Sequence, residues 1–402
     1  MSGPLAGIRL LDLTTVQMGP WCTRIMADFG ADVIKVEAPG GDSSRYTGVP
    51  RHRGMSGTFQ HNARGKRSIA IDLKQREARD AILKVVPKVD ALASNIRQAA
   101  LARLGLDYES IRKLNPKIVY LSMVGYGSAG RYAGRPAYDD LIQAASAIPT
   151  LLQRSTGEQR FIPMAAIDRI VGSSAANALL AGLLAQARTG IGQMIEVPMF
   201  ETMAQFVLSE HMQGHTFDPP TSPPGYPRTL SRSRRPYPSK DGHIAVLPYN
   251  DGQWQRFFQA VGKGHLLEND PRFADIGART ANIDSLYDMI ADEVKTRTNA
   301  EWLKLLQEND IPCMVPHTLE TLMEDPHLAD ADFFHWVDHP SEGRIRMMRD
   351  PSTWTETKPT LAGKFAPRLG QHTREILAEA GLDNATIDDL IARNIVNTDG
   401  KS

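Results

Sequence analysis

The sequence predicts an α/β protein whose larger part is an open parallel sheet wrapped by helices. Three observations carry this. Residues 8–37 read strand, helix, strand: the apolar run IRLLDL, a helix opened by Gly19-Pro20 and closed near Gly30, then ADVIKVE. The alternation continues to residue 124, the pattern of a chain that crosses back over its sheet after each strand. Between residues 218 and 237, prolines in pairs flank the basic run RTLSRSRR (228–235), and a shorter α/β alternation follows.

Taken in order, residues 67–73 (RSIAIDL) form a strand, 75–86 a helix and 90–94 a strand. Short helices surround Arg103 and Ile111, and residues 117–124 (KIVYLSMV) form the next strand. Residues 39–66, rich in Gly, Arg and Ser and without periodicity, read as a long loop, a feature that usually carries function. Residues 163–190 form a helix whose small and aliphatic positions after Ala175 predict burial on all sides. A strand at 192–197 and a helix at 200–212 follow. After the break come a strand at 243–248, helices at 254–261, 283–295 and 301–308, and a strand at 311–315. Residues 333–348 form a hairpin turning at Ser341-Glu342-Gly343, and two helices precede a polar tail. These boundaries set a large domain at 1–217, a linker at 218–240, a small domain at 241–325 and a C-terminal part at 326–402.

A chain of 402 residues exceeds what one core usually supports, in line with this division. Lys plus Arg and Asp plus Glu both total 46, so no net field draws nucleic acid or an anionic membrane, and neither is expected as a partner. The first residues hold no basic segment followed by an apolar run, and the longest apolar run, near 178–185, is too short to span a bilayer, so a cytoplasmic protein is expected. Cys22 and Cys313 read as reduced, packed thiols with no metal motif around them.

Asp168 stands where the 163–190 helix begins, so the helix dipole favours its ionised form. An ionised acid at the edge of a core can act as a nucleophile. A first-turn Asp that only stabilises its helix, by about 1 kcal/mol, is the reading the local sequence favours. Gly125-Tyr126-Gly127-Ser128-Ala129-Gly130 follows a strand and matches the three-glycine dinucleotide pattern. The segment RYAGRP after it delays any helix to about residue 137, which leaves nicotinamide binding as an alternative only. His335, Asp338 and His339 would alternate faces on a strand and read as solvated residues, so no metal is expected. No nucleophile-elbow serine, zinc-type histidine pair or phosphate loop occurs.

Several stretches together resemble the class III CoA-transferase family, also called CaiB/BaiF. They are LLDLTTVQMGP (10–20), GADVIKVEAPGGD (30–42), GKRSIAIDLK (65–74), SNIR (94–97), LARLGLDYESIRKLNPKIVYLSMVGYG (101–127), AAIDRIVG (165–172), TGIGQMIEVPMFETM (189–203) and APRLGQHTREIL (366–377). The resemblance spans nearly the whole chain and keeps the order of the pieces. It implies a large Rossmann-like CoA-binding domain built from both chain ends, a small inserted α/β domain and an interlocked homodimer. The implied activity moves CoA from an acyl-CoA to a carboxylic acid, with no metal and no NAD.

The resemblance places the nucleophile on Asp168, and Val16 and Gln17 at the thiol end of CoA. Lys74 and Arg103 would meet phosphate or adenine-side groups, and Asn95, Ile96, Tyr138 and Met199 would line the CoA channel or active site. Asp168 must then be ionised in the free enzyme. Each tetrahedral intermediate needs donors aimed at its oxyanion, for which the Gln17 amide and backbone N–H groups of glycine-rich segments are the candidates. Ala38 replaces a residue that is basic in the formyl-CoA transferase branch, and RTLSRSRRPYPSKDG stands where that branch has a run of glycines, so that activity is not expected. The racemase branch uses a Gly-His-Asp triplet. Here it is Ala137-Tyr138-Asp139, and tyrosine is a poor base near neutral pH, which leaves racemisation as the alternative. A CoA-binding protein without turnover is a third reading. For dicarboxylic substrates, Arg45, Arg51, His52 and Arg232 are candidates to pair with the second carboxylate.

Overall fold

Six strands, β1 (Arg9–Leu13), β2 (Asp32–Glu37), β3 (Lys66–Ile71), β4 (Ala91–Ser94), β5 (Val119–Val124) and β6 (Gln193–Pro198), pair in parallel in the spatial order β3-β2-β1-β4-β5-β6. The order reverses between β1 and β4, as in doubly wound dinucleotide-binding sheets. β1, β2, β4 and β5 are buried along almost their whole length, which is why they read as near-continuous apolar runs. This computed structural model describes residues 3–266, 270–359 and 364–398.

Helix α1 (Met18–Asp28) follows β1, α2 (Gly57–Ala63) precedes β3, α3 (Arg76–Val85) follows it, and α4 (Gln98–Leu104) and α5 (Tyr108–Leu114) join β4 to β5. The 39–66 stretch is therefore not all loop. Ser56 caps α2 by accepting the Phe59 N–H at 3.1 Å, a short-range signal that the search for longer periodicities passes over. After β5 come α6 (Asp139–Ala145), α7 (Ile148–Thr156), the long α8 (Ala166–Thr189), then β6 and α9 (Met199–His211).

Helix α8 is buried along one face, through Ile167, Val171, Ala175, Leu179 and Leu183, and not all round as its composition suggests. Two glycines let that face lie flush. A Cβ on Gly172 would stand 2.6 Å from the Met18 carbonyl oxygen of α1, and one on Gly182 would stand 2.5 Å from Ile195 of β6. The opposite face is apolar yet open in the single chain, with Leu184 52% exposed.

The C-terminal segment completes the same body. A short strand β12 (Val396–Asn397) pairs antiparallel with β3, and Ile376, Leu377, Ile387 and Leu390 from the last two helices join the core of Ile69, Ala78 and Ile82. Arg67 ties that end down through Asp32 at 2.6 Å and Glu375 at 2.8 Å. The hairpin β10 (Phe334–His339) and β11 (Gly343–Met348) belongs here too. His339 on it is buried, its Nε2 3.1 Å from the Ala366 carbonyl oxygen, so it is a packed residue and not a solvated one.

By packing, one unit comprises Met1–Ser146, Ile162–Gln205 and Ala329–Ser402, and a second comprises Ala147–Phe161 and Phe206–Leu328. The second unit has its own core of Trp254, Phe257, Phe258, Tyr287 and Trp302 under the three-stranded antiparallel sheet β7 (Tyr237–Pro238), β8 (His243–Val246) and β9 (Cys313–Met314). Tyr237, from the stretch expected to be linker, is buried in that core. Cys22 is fully buried, whereas Cys313 is only half-buried.

Candidate active site

In a doubly wound sheet, the loops leaving neighbouring strands on either side of the reversal diverge and open a crevice at the strands' C-terminal ends. Here a cavity of about 510 Å³ opens there, lined by Thr15–Met18 after β1, Asn95–Ala99 after β4, residues of the loop after β5, Asp168, Glu196 and Met199. The two loops at the reversal are clasped together. The Thr15 N–H donates to Asn95 Oδ1 at 2.9 Å, and Asn95 Nδ2 donates back to the Thr15 carbonyl at 2.8 Å.

The next residue, Val16, has φ +70°, a conformation that a β-branched residue adopts only when its surroundings impose it. Its N–H donates to Asp42 Oδ1 at 3.2 Å, and Asp42 is held in turn by the buried Lys35 ammonium at 2.8 Å. Gln17 follows, on the cavity wall. Asn62 Nδ2, from α2, donates to Gln17 Oε1 at 2.7 Å.

Asp168 sits in the first turn of α8. Ala165, at the N-cap, supplies no side-chain bond, and the cap comes from another helix: Asp139 Oδ2, at the start of α6, accepts the Asp168 N–H at 2.9 Å. Asp139 is steadied by Gln143, whose Nε2 donates to its Oδ1 at 2.7 Å. This arrangement overturns the expectation that the helix start keeps Asp168 readily ionised. Burial, with the negative charges of Asp139 and then Asp140 beside it, pushes the carboxyl up to about 7, and Arg169 only partly opposes them.

Val16, Gln17, Asn95, Ile96, Tyr138, Asp168 and Met199 thus share one cavity. A second cavity of about 450 Å³ also touches Thr15, Val16 and Ile96 and extends past Ala38, Asp42, Leu73 and Lys74 to Leu104. Lys74 is on its wall. Arg103 is not: it lies exposed on α4 and lines neither cavity.

Other expectations shift as well. The glycine-rich loop cannot offer all its N–H groups to an oxyanion, because Gly127 N–H donates to Glu201 Oε1 at 2.9 Å and Ser128 N–H to Glu196 Oε1 at 2.8 Å. No helix opens at Gly130, and the next one starts at Asp139. Arg45 is buried against Glu37 at 2.7 Å, Arg51 donates to the Glu342 carbonyl, and His52 contacts the Glu342 carboxylate at 3.1 Å, so these three are engaged within the chain. Arg232 is exposed in the second unit. Among the described residues no group of three His, Cys, Asp or Glu side chains is placed to hold a metal ion.

The sequence profile described as CoA-transferase family III matches residues 5–373. The chain belongs to that family. The transferase is 32% identical over 397 residues to the succinyl-CoA:mesaconate CoA-transferase of Haloarcula hispanica, covering 96% of this chain and 98% of that one. It is 28% identical over 399 residues to the human succinyl-CoA:glutarate CoA-transferase, covering 98% and 90%. Among solved structures, a variant of Rv3272 from Mycobacterium tuberculosis matches with a TM-score of 0.81 at 27% identity, covering 94% and 99%, and a CAIB/BAIF family protein from Brucella suis with 0.78 at 29%, covering 94% and 100%.

Within this family III CoA-transferase, two features of the site escaped the sequence reading. Asp139 was noted only as the third member of a triplet, although two acids in succession at a helix start, Asp139-Asp140, signal a carboxylate available as a cap. Asn62 lies 45 residues from Gln17, and no local pattern joins them.

Proposed function

We propose that the transferase moves CoA from an acyl-CoA donor to a carboxylic acid through two covalent intermediates on Asp168. The ionised carboxylate attacks the thioester carbonyl, the C–S bond breaks, and CoA thiolate leaves an aspartyl–acyl anhydride. The thiolate then attacks the Asp168 carbonyl carbon, which forms an aspartyl-CoA thioester and frees the donor acid as its carboxylate. The acceptor carboxylate attacks that thioester and releases CoA thiolate again. Attack of the thiolate on the acceptor carbonyl gives the new acyl-CoA and restores Asp168.

The observation that carries this reading is that Asp168 and Gln17 line the same cavity, where the Gln17 amide would supply a donor to each oxyanion. The carboxyl of Asp168 accepts no hydrogen bond among the described residues, so no protein donor competes for the lone pairs that attack. CoA is proposed to run from this cavity into the adjoining one, with Lys74 as a charge-assisted partner of its phosphates. The names of the relatives from Haloarcula hispanica and human point to succinyl-CoA as donor and a second dicarboxylic acid as acceptor.

The reading includes a large CoA-binding domain built from both chain ends, a small inserted domain and an interlocked homodimer. The open apolar face bearing Leu184, together with Met164 and Ile191 at 61% and 67% exposure, supports a second copy as its cover. Sedimentation at micromolar concentration should give a dimer that does not dissociate on dilution, and a monomer would contradict it.

The covalent route is tested by intact-mass spectrometry after incubation with a panel of acyl-CoAs, with hydroxylamine trapping and peptide mapping. A trapped adduct on Asp168 is the expected outcome. CoA binding without any adduct, accompanied by solvent deuterium at the α-carbon, would move the assignment to proton transfer.

A further inference from the structure

An oxyanion-hole donor is useful only if it already points at the reacting oxygen before charge develops there. A glutamine side chain meets this requirement poorly on its own, because its terminal amide turns freely and presents a carbonyl oxygen as readily as an NH2 group. In the cavity of the transferase, the Gln17 amide is not left to itself. Asn62 Nδ2 donates to its Oε1 at 2.7 Å, and Asn62 is 2% exposed, behind the wall and outside the cavity lining. With the carbonyl engaged on that side, Nε2 is the end left for the cavity, and it makes no hydrogen bond among the described residues.

The main chain on either side of this contact is also fixed. Val16, immediately before Gln17, is held at φ +70° with its N–H on Asp42 Oδ1. Asp42 Oδ1 accepts from the Ser44 N–H and hydroxyl, each at 2.9 Å, and the Ser44 carbonyl accepts from the Ser56 hydroxyl at 2.6 Å. Ser56 caps α2, the helix that carries Asn62. One buried chain of hydrogen bonds, from Asp42 through Ser44 and Ser56, therefore sets both Val16 and the helix opposite it. The remaining freedom is that of the Gln17 side chain, whose amide is held by the Asn62 contact.

We infer that Asn62 is the positioning residue that fixes which end of the Gln17 amide faces the acyl carbonyl, so that the oxyanion meets N–H and not C=O. The inference rests on the proposed acyl-transfer reading and adds to it a residue outside the cavity on which the rate depends. It makes a directional prediction. An aspartate at position 62 only accepts, so it recruits Gln17 Nε2, turns the amide over and sets Oε1 against the developing negative charge. An apolar residue of similar size releases the amide without inverting it.

The test is a double-mutant cycle on CoA exchange between succinyl-CoA and ¹³C-labelled succinate, or with whichever donor reacts fastest in the mass-spectrometric panel. Asn62→Asp, Asn62→Leu, Gln17→Ala and the Asn62→Asp/Gln17→Ala pair are compared, and melting temperature establishes folding in each. Asn62→Asp is expected to lower kcat by about 10²-fold or more, at least as far as Gln17→Ala, with KM for the donor changed by less than about threefold. Asn62→Leu should fall between wild type and Asn62→Asp. The paired variant should be no slower than Gln17→Ala alone, because an inverted amide cannot harm a site that has none.

If Asn62→Asp folds and exchanges within about threefold of wild type, the inference is wrong. Should that variant not fold, Asn62→Leu and the Asn62→Leu/Gln17→Ala pair decide: an unchanged kcat in the first, or losses that multiply in the pair, overturns it. Failure of the covalent reading looks different, since wild type would then exchange CoA without a trapped adduct on Asp168, and the cycle would still report the coupling of Asn62 to Gln17.

Discussion

The transferase holds two kinds of carboxylate at and beneath its cavity, and they are treated in opposite ways. Asp12 and Asp42, under the loop after β1, are wrapped in donors. Asp12 accepts from the Thr14 N–H at 2.9 Å, the Thr23 hydroxyl at 2.7 Å and Lys66 at 3.1 Å, and Asp42 from Lys35 at 2.8 Å. Burial alone would raise both, but the lysines and hydrogen bonds outweigh it and hold them below the usual aspartate range. Asp168 is only half-buried, and it meets negative charge where the others meet lysine. The difference separates carboxylates satisfied by the scaffold from one that accepts no hydrogen bond among the described residues, the one to which the proposed mechanism assigns the chemistry.

The largest expected effect breaks that contrast at its reactive end. Asp168→Ala should reduce CoA exchange by about 10⁴-fold or more in a coupled assay, as loss of a covalent nucleophile does. CoA binding, read by calorimetry, should survive, since neither cavity loses its wall. At the scaffold end, Lys35→Met leaves Asp42 charged and buried without its partner. Urea unfolding should show a loss of about 3–5 kcal/mol, the scale for breaking a buried pair from one side. A change below 1 kcal/mol would mean that Asp42 is satisfied by its hydrogen bonds alone.

Asp168→Asn sharpens the comparison through stability. The folded carboxyl titrates near 7 and an unfolded aspartate near 3.8, so the folded chain holds the extra proton between those values and wild-type stability falls as pH rises through the window. Asparagine cannot ionise. The variant should match wild type at pH 4 and exceed it at pH 8 by about 2–4 kcal/mol, which denaturant titrations at the two pH values would resolve. Equal stability at both pH values would show that Asp168 titrates normally. In activity the sign is reversed: attack needs the ionised form, so kcat/KM should rise about tenfold per pH unit up to about 7 and then level. Asp139→Asn removes a like charge and should move that inflection to lower pH. An aspartate with the ordinary value would give a flat profile above pH 5.

How much of this was legible follows from the range of each interaction. The strands and helices of the parallel sheet showed as alternating apolar runs, which local periodicity displays, whereas the spatial order of the strands leaves no such trace. The positions lining the main cavity, from Val16 and Gln17 to Tyr138, Asp168 and Met199, came from a resemblance carried by short motifs with fixed order. The ionisation of Asp168 was misjudged because the helix start was visible in sequence, whereas the carboxylate that caps it sits 29 residues earlier, on α6. Asn62 was hidden for the same reason, since hydrogen-bond partners far apart in the chain leave no periodic trace, and Arg45, expected to meet a substrate carboxylate, is engaged by Glu37 instead. Arg103 was placed correctly on a short helix but on its outer side, a matter of a rotation about the helix axis that a seven-residue segment barely specifies.

The smallest predicted effect turns on that rotation. Lys74 and Arg103 are both exposed cations near the second cavity, and only Lys74 lines it. A lysine on an open wall contributes a screened, charge-assisted contact to a phosphate, worth about 0.5–1.5 kcal/mol. Lys74→Ala should therefore raise KM for the acyl-CoA about three- to tenfold, leave kcat unchanged, and lose that effect for a donor lacking the 3′-phosphate if that is the group it meets. Arg103→Ala, outside both cavities in the single chain, should stay within about twofold in both parameters. If Arg103→Ala proves the more harmful of the two, the α4 face that carries it closes onto CoA only when ligand is bound, and the wall of the second cavity is then incomplete without the nucleotide.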